Sequence, residues 1–421
     1  MRLTVDSGQL PVGWEIKTIG EVCKTGAGGT PVKSNKEYYE NGQIPWLLSG
    51  EVAQGEIFKS EKFITQAGLE NSSAKIFPVN TVIVAMYGAT AGQVGILRFE
   101  AATNQAVCGI LPNEKFVPEF IYYVLLSKKA ELISKAVGNA QPNISQIKIK
   151  NTKILIPPLS EQKRIVAILD EAFEGIDRAI ANTEKNLANS RELFESYLNN
   201  IFIQKGDEWE ENKLGNIATF INGLNFTKSS KGESIKIDGV KDFQNHFWIQ
   251  EDQFDSVRID AELKEINILR KGDILTVRSN GNKELIGRCI LAGDISEKTS
   301  HSGFTIRIRI EKEDIYPQFI VHFLKSRELR KQLTESGGGI SISSLNQQGL
   351  SLIIMSFPPF IEQKAIVAKI DELAVETQRL ETIYRQKIAA LKELKQSILQ
   401  KAFTGELTAD TPKAAKEGIA A

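Results

Sequence analysis

Residues 157–171 read P-P-L-S-E-Q-K-R-I-V-A-I-L-D-E and residues 358–372 read P-P-F-I-E-Q-K-A-I-V-A-K-I-D-E, ten identities in fifteen positions at a spacing of 201 residues. A repeat of this kind governs the whole fold assignment, because every element then has to be placed twice. The same spacing carries Ser196 to Ser397, Leu198 to Leu399 and Phe202 to Phe403, so the register holds without a gap. Upstream the match is looser. Pro118-Glu119-Phe120-Ile121 answers Pro317-Gln318-Phe319-Ile320, and Gly138 answers Gly337, both at a spacing of 199. Further back, Asn80-Thr81-Val82-Ile83 resembles Gly272-Asp273-Ile274-Leu275, and Trp14 and Trp209 stand near the start of each copy. Each half is therefore a variable globular unit followed by a well-kept segment, with expected boundaries at 1–157, 158–205, 206–358 and 359–405 and a tail over 406–421.

The kept segments are expected to be long helices. Pro157 and Pro158 end the preceding strand, Ser160 is a candidate cap, and Glu161 lies in a first turn where the helix dipole favours a carboxylate. Apolar positions then recur at steps of four and three: Ile165, Leu169, Ala172, Ile176, Ala179, Thr183, and again Leu193 and Tyr197. The second copy gives Ile366, Ile370, Leu373, Thr377, Leu380, Tyr384, Ile388, Leu391, Leu394 and Ile398. Sustained 3.5-residue spacing indicates a coiled coil, and helices of this length are roughly 65 Å long. Because a complete domain intervenes, the pair is expected to run antiparallel with one domain at each end. The globular units read as mixed α+β: residues 81–86 and 274–278 are short β-branched runs, 304–310 alternates as a half-exposed strand, and 118–136 and 317–335 are helical up to Gly138 and Gly337.

Composition narrows the class. At 421 residues the chain is long enough for two or three domains, and 42% apolar with 25% charged residues is the make-up of a globular protein. No apolar run approaches a membrane span. Cys23, Cys108 and Cys289 lack paired spacing, and the opening residues lack the apolar core of a secretory signal, so a reducing cytoplasm is expected. With 52 basic against 52 acidic residues, any positive charge for nucleic acid has to be local.

Catalytic motifs are missing. There is no phosphate loop of either familiar type, and Gly26-Ala27-Gly28-Gly29-Thr30 reads as a flexible turn. His246, His301 and His322 have no partners at metal-ligand spacing. Ser356-Phe357-Pro358-Pro359-Phe360 has Phe357 where an amino-methyltransferase needs a polar residue, so it is a strand terminator. Glu161-Gln162-Lys163 and Glu362-Gln363-Lys364 have a nuclease-like spacing but open a helix, which favours capping or a partner-docking surface.

What remains suits recognition of double-stranded DNA. Tyr87-Gly88-Ala89-Thr90 follows a strand as a small-residue loop that lets backbone approach a ligand, and Arg278-Ser279-Asn280-Gly281-Asn282-Lys283 holds the equivalent place. Arginine reads guanine, asparagine reads adenine, and lysine holds phosphate. Thr30, Lys33, Lys36, Asn104 and Gln105 join this set in the first half, and Lys228, Lys231, Ser302 and Phe304 in the second. Phe243, His246, Phe247 and Trp248 form an aromatic cluster that reads as core or as a stacking platform. A catalytic methyltransferase or nuclease fusion and a non-DNA coiled-coil adaptor are the rival readings.

With its paired E-Q-K segments, the strings I-V-A-M-Y-G-A-T-A-G-Q-V-G and G-D-I-L-T-V-R-S-N-G-N, the N-Q after Thr103 and the closing A-F-T-G-E-L, the sequence resembles the specificity subunit of type I restriction-modification enzymes from about Pro11 to Leu407. The resemblance implies a non-catalytic subunit in which two target-recognition domains, held apart by two long helices, each read one half of a bipartite asymmetric site. It implies two methyltransferase subunits and restriction-translocase subunits as partners. S-adenosylmethionine, ATP and Mg are then expected on those partners, with no cofactor or metal on this chain.

Overall fold

The computed structural model describes residues 12–134, 143–240, 243, 247–260, 262–282, 285–327, 329, 345–404 and 406–407. Gly138, Gly337, His246, Lys283 and the tail beyond Leu407 lie outside them. The chain divides into two compact units, Met1–Thr183 with Gln386–Ala421, and Glu184–Arg385. Among the described residues no helix is long and apolar enough to cross a membrane.

The first unit carries β1 (Glu15–Thr18), β2 (Thr25–Ala27), β3 (Ile44–Leu47), β4 (Glu56–Ile57), β5 (Phe63–Ile64), β6 (Ile76–Phe77), β7 (Val82–Ala85), β8 (Val94–Leu97), β9 (Ala101–Thr103), β10 (Val107–Ile110) and β11 (Lys153–Ile156). Its main sheet has the order β2-β10-β7-β8-β4, and a second has the order β5-β3-β9-β6 with β3 and β9 parallel. β1 pairs antiparallel with β11, Glu15 opposite Ile156, so the strand that enters the unit is bonded to the strand that leaves it.

The second unit repeats this connectivity. It carries β12 (Glu210–Lys213), β13 (Ala218–Asn222), β14 (Glu233–Asp238), β15 (Asp255–Ile259), β16 (Ile274–Val277), β17 (Cys289–Leu291), β18 (Thr299–His301), β19 (Thr305–Ile310) and β20 (Ile354–Phe357). The orders are β13-β19-β16-β17 and β15-β14-β18, the last pair again parallel, and β12 closes on β20.

Period-two alternation gives each main sheet two buried faces. Val82, Val84, Val94, Ile96, Cys108 and Ile110 point into the principal core, while Ile83, Ala85, Leu97 and Val107 pack on the other side with Leu47, Ile57 and Phe77. Ile274, Cys289, Ile306 and Ile308 against Leu275, Val277 and Ile290 do the same in the second unit. The strand expected at 304–310 is present as β19, but it is not half-exposed. β19 lies between β13 and β16, and even Arg307 is buried in it.

Pro118 and Pro317 start the helices Pro118–Ser127 and Pro317–Lys325, which cover the principal faces. The first is followed by Lys129–Ser134 after a break at Lys128, so the expected single helix to 136 is interrupted. The long helices run Leu159–Ile203 and Phe360–Ala402. Ser160 lies inside the first turn rather than before it, which removes it as the cap.

Each unit contains the start of one long helix and the end of the other, and an ion pair joins them in each. In the first unit Lys395 bonds Asp177 at 2.7 Å, and in the second Arg191 grips Glu381 through two 2.7 Å bonds, holding that carboxylate down at about 2. Fourteen residues forward from Asp177 to Arg191 correspond to fourteen backward from Lys395 to Glu381, which is an antiparallel register. The expected stripe follows this pairing for about four heptads and then fails. Leu193 is 73% exposed and Leu394 47%, and Tyr197 also faces solvent. Phe194 and Leu198 take the inward places in one helix, Lys395 and Leu399 in the other. A helix at 3.6 residues per turn drifts about 20° per heptad from a strict seven-residue repeat. Leu193 stands four heptads from Ile165 and Leu394 four from Ile366, so the accumulated drift is close to one residue in both.

The helix ends finish the cores. Phe202 packs edge-on to Phe319 at 5.4 Å, and Phe403 packs edge-on to Phe120 at 5.5 Å. Phe202→Ala is expected to destabilise the protein by about 3–5 kcal/mol, whereas Leu193→Ala costs less than about 0.5 kcal/mol. Urea titration of both variants checks this, and comparable losses would contradict the one-residue drift.

Candidate nucleic-acid interface

The long helices are anchored to the domains by twin glutamines. Gln162 accepts the Val117 N–H at 3.1 Å and donates to the Lys115 and Pro157 carbonyls at 3.2 and 3.0 Å. Gln363 accepts the Tyr316 N–H at 2.8 Å and donates to the Asp314 and Pro358 carbonyls at 3.1 and 2.9 Å. Each side chain is 1% exposed, so a docking role for these two is corrected: their polar atoms are consumed inside the chain. Val117 and Tyr316 are the residues just before the covering helices, so one amide fixes two helix starts together. Lys163 and Lys364 face solvent, the latter 4.4 Å over the Phe360 ring, while Glu161 lies within 3.8 Å of Arg164 and Glu362 accepts from the Trp209 indole at 3.1 Å.

In the first unit the strand after β2 runs against the β9–β10 turn. Gly28 and Gly29 donate to the Val107 and Thr103 carbonyls at 3.0 and 2.9 Å, and the Trp46 indole donates to the Gly29 carbonyl at 2.9 Å. A Cβ on Gly28 would fall 2.2 Å from Thr103 Oγ1, so this segment is a close backbone approach and not the expected flexible turn. The approach delivers Thr30 to Gln105, whose side-chain oxygen accepts the threonine hydroxyl. Met86 N–H donates to the Ala106 carbonyl at 2.7 Å, which sets the loop Tyr87–Thr90 beside Asn104 and Gln105. Gly88 has φ +71° and nothing within 4 Å of a built Cβ, so this loop presents open backbone between the exposed Tyr87 and Ala89. Thr90 is tied back to the Tyr87 carbonyl at 3.3 Å. Lys33 and Lys36 are exposed on the next segment, and no described contact joins them to the turn.

The second unit builds the same arrangement from different residues. Gly223 and Leu224 donate to the Thr305 and His301 carbonyls at 3.2 and 2.8 Å, and Arg278 N–H donates to the Phe304 carbonyl at 2.9 Å. That bond sets Arg278–Asn282 beside the Ser302–Phe304 turn. Asn280, Ser302 and Phe304 line one open cleft of about 350 Å3 together with Phe226 and Asp255. Lys228 and Lys231 are exposed and lie outside this lining, Lys231 donating its backbone N–H to Asp260 at 2.8 Å. Sequence reasoning missed Asn225 and Phe226. Asn225 is the strand equivalent of Thr30, since β2 pairs Ala27 with Cys108 where β13 pairs Asn222 with Ile306. That alignment, not composition, is the signal that finds it. The aromatic cluster divides: Phe243 is core, Phe247 stacks 4.7 Å from the His322 ring, and Trp248 is exposed.

Under this face the charge is internal. Arg309 grips Asp273 through two 2.7 Å bonds, and buried Arg307 donates to the Ile266 carbonyl. The His301 Nδ1 lies 2.9 Å from Thr305 Oγ1, and burial, helped by Arg307 and Arg309, pushes its pKa down to about 3.

The profile of the family described as type I restriction modification DNA specificity domain matches residues 11–188 and 206–392, one match per repeat. The chain belongs to this family. Similar proteins of the type I specificity family include the StySPI specificity subunit of Salmonella potsdam, 28% identical over 434 residues and covering 96% of this chain and 91% of that protein. The EcoKI specificity subunit of Escherichia coli K12 is 27% identical over 442 residues, with coverages of 96% and 91%. A solved structure described as the structural basis underlying complex assembly and conformational transition of the type I R-M system shares the fold at TM-score 0.76 and 22% identity, over 95% of this chain and 100% of that one. The HsdS subunit from Thermoanaerobacter tengcongensis does so at TM-score 0.61 and 21% identity, with coverages of 95% and 99%.

A neutral buried His301 makes stability pH-dependent. The unfolded imidazole protonates as pH falls through 6.5, whereas the folded one resists to about 3. The unfolded state therefore holds more protons across that window, and stability falls with pH by about 1.4 kcal/mol per unit for the group. Burial lowers His322 in the same direction. Urea midpoints between pH 7 and pH 4 should decline, and His301→Asn should decline less steeply; equal slopes would place the dependence elsewhere.

Proposed function

We propose that this chain is the non-catalytic specificity subunit of a type I restriction-modification complex, each unit reading one half of a split, asymmetric DNA sequence. The observation that carries this is the repeated strand connectivity with different loops in the same place: Tyr87–Thr90 with Asn104 and Gln105 in one unit, Arg278–Asn282 with Ser302 and Phe304 in the other. One scaffold with two different reading loops is what two unlike half-sites require. Membership of the specificity family supports the same reading.

In this reading the long helices fix the separation and phase of the half-sites. The solvent-facing Lys163 and Lys364, with Glu161 and Glu362 beside them, mark surfaces on which two methyltransferase subunits dock. Restriction-translocase subunits join that assembly, and S-adenosylmethionine, ATP and Mg bind to the partners. The complex works in the cytoplasm, on chromosomal and entering DNA.

Single-molecule methylation sequencing of the native genome, with and without this protein, should show loss of methylation at one split motif; an unchanged methylome in a strain that expresses the complex would overturn the reading. Removing seven residues from each long helix at matching positions shortens the pair by about 10 Å, close to three base pairs, so the unread spacer should shorten while the bases read stay the same. Arg278→Ala should relax one half-site only, by about 1–3 kcal/mol. Equal loss on random duplex would make Arg278 a phosphate contact.

A further inference from the structure

The cleft of the second unit has chemistry specific enough to name a base. Two aromatic side chains, Phe226 and Phe304, line it, and Phe304 is 60% exposed, which is unusual for a phenylalanine. Its backbone is firmly held. The Phe304 carbonyl accepts from Arg278, the Phe304 N–H donates to Ser302 Oγ at 3.3 Å, and the preceding Gly303 N–H donates to Leu224 at 2.8 Å. The ring is thus presented to solvent from a rigid turn, not left out by a loose one. Beside it Asn280, which lines the same cleft, has its Oδ1 committed to the Asn282 N–H at 2.8 Å, so the amide group it can offer a ligand is the Nδ2 donor. Asp255 also lines the cleft.

A donor next to an apolar wall matches one edge among the four bases in the major groove. Thymine offers the O4 acceptor and the C5-methyl side by side; cytosine offers a donor and no methyl, guanine offers acceptors and no methyl, and adenine offers an acceptor beside a donor and no methyl. We propose that this cleft reads an A·T pair, Asn280 Nδ2 donating to thymine O4 and Phe304 lying against the thymine methyl. The proposal rests on the reading of this chain as a DNA-recognition subunit and deepens it to a base and two residues.

Uracil in place of thymine removes only the methyl, which makes it the probe. With the motif known from methylation sequencing, the complex of this chain with its methyltransferase subunits is bound to duplexes carrying deoxyuridine at each motif thymine in turn. One position is expected to weaken about fourfold, the effect of one buried methyl. In Phe304→Ala, whose fold is spared because the ring is exposed, thymine and uracil at that position should bind equally while substitutions elsewhere act as before. Asn280→Asp keeps the oxygen that accepts from Asn282 but replaces the donor, so the preference for thymine over cytosine at the same position should fall. A split motif in which no thymine shows the uracil penalty, or a penalty that persists in Phe304→Ala, overturns the assignment and leaves the specificity reading intact. Absence of any split motif overturns both.

Discussion

The principal core of each unit is completed by a phenylalanine that arrives on the end of a long helix. Phe403 reaches Phe120 across 283 positions of sequence, and Phe202 reaches Phe319 across 117. Without these rings the helices Pro118–Ser127 and Pro317–Lys325 would cover their sheets over a void, and an aromatic-sized cavity costs several kcal/mol. Because the first unit combines Met1–Thr183 with Gln386–Ala421, closing its core joins residues far apart in the chain, a high contact-order step.

That constraint explains why the helices are kept and the loops are not. The glutamine pair, the phenylalanine pair and the ion pairs at Asp177 and Arg191 are all contacts between a helix and its surroundings, each with a fixed geometry. A substitution at either glutamine leaves a buried donor or acceptor unpaired and one at either phenylalanine leaves a void, whereas the ion pairs are solvent-exposed and set register more than stability. One contact varies within the scheme: Tyr123 donates to Asp170 at 2.6 Å, while at the corresponding place His322 stands 3.4 Å from Asp371. The reading loops carry no such load. Gly28 and Gly223 anchor the backbone beneath them, and beyond those anchors the side chains are free to differ.

The arrangement also separates charge that supports the fold from charge offered to a ligand. β19 spells two arginines that look available on the page of sequence, yet Arg307 and Arg309 are directed inward to a carbonyl and to Asp273. Arg278 lies one loop away, and its main chain, not its guanidinium, is bonded to the turn.

Sequence by itself determined the two-fold repeat, the mixed α+β class, the long helices and their antiparallel sense, because repeated motifs and heptad spacing are local in the chain and survive translation into structure. It also located the loops at Tyr87 and Arg278, since each follows a β-branched run. Tertiary structure decided the rest. Whether Leu193 and Leu394 face inward depends on drift summed over four heptads, which no short window reveals. Whether Gln162 and Gln363 dock a partner or latch a domain depends on carbonyls 47 and 49 residues upstream. The company of Asn280, Ser302 and Phe304 with Phe226 arises only when β13, β16 and β19 pair, because side chains far apart in sequence become one surface solely through strand register.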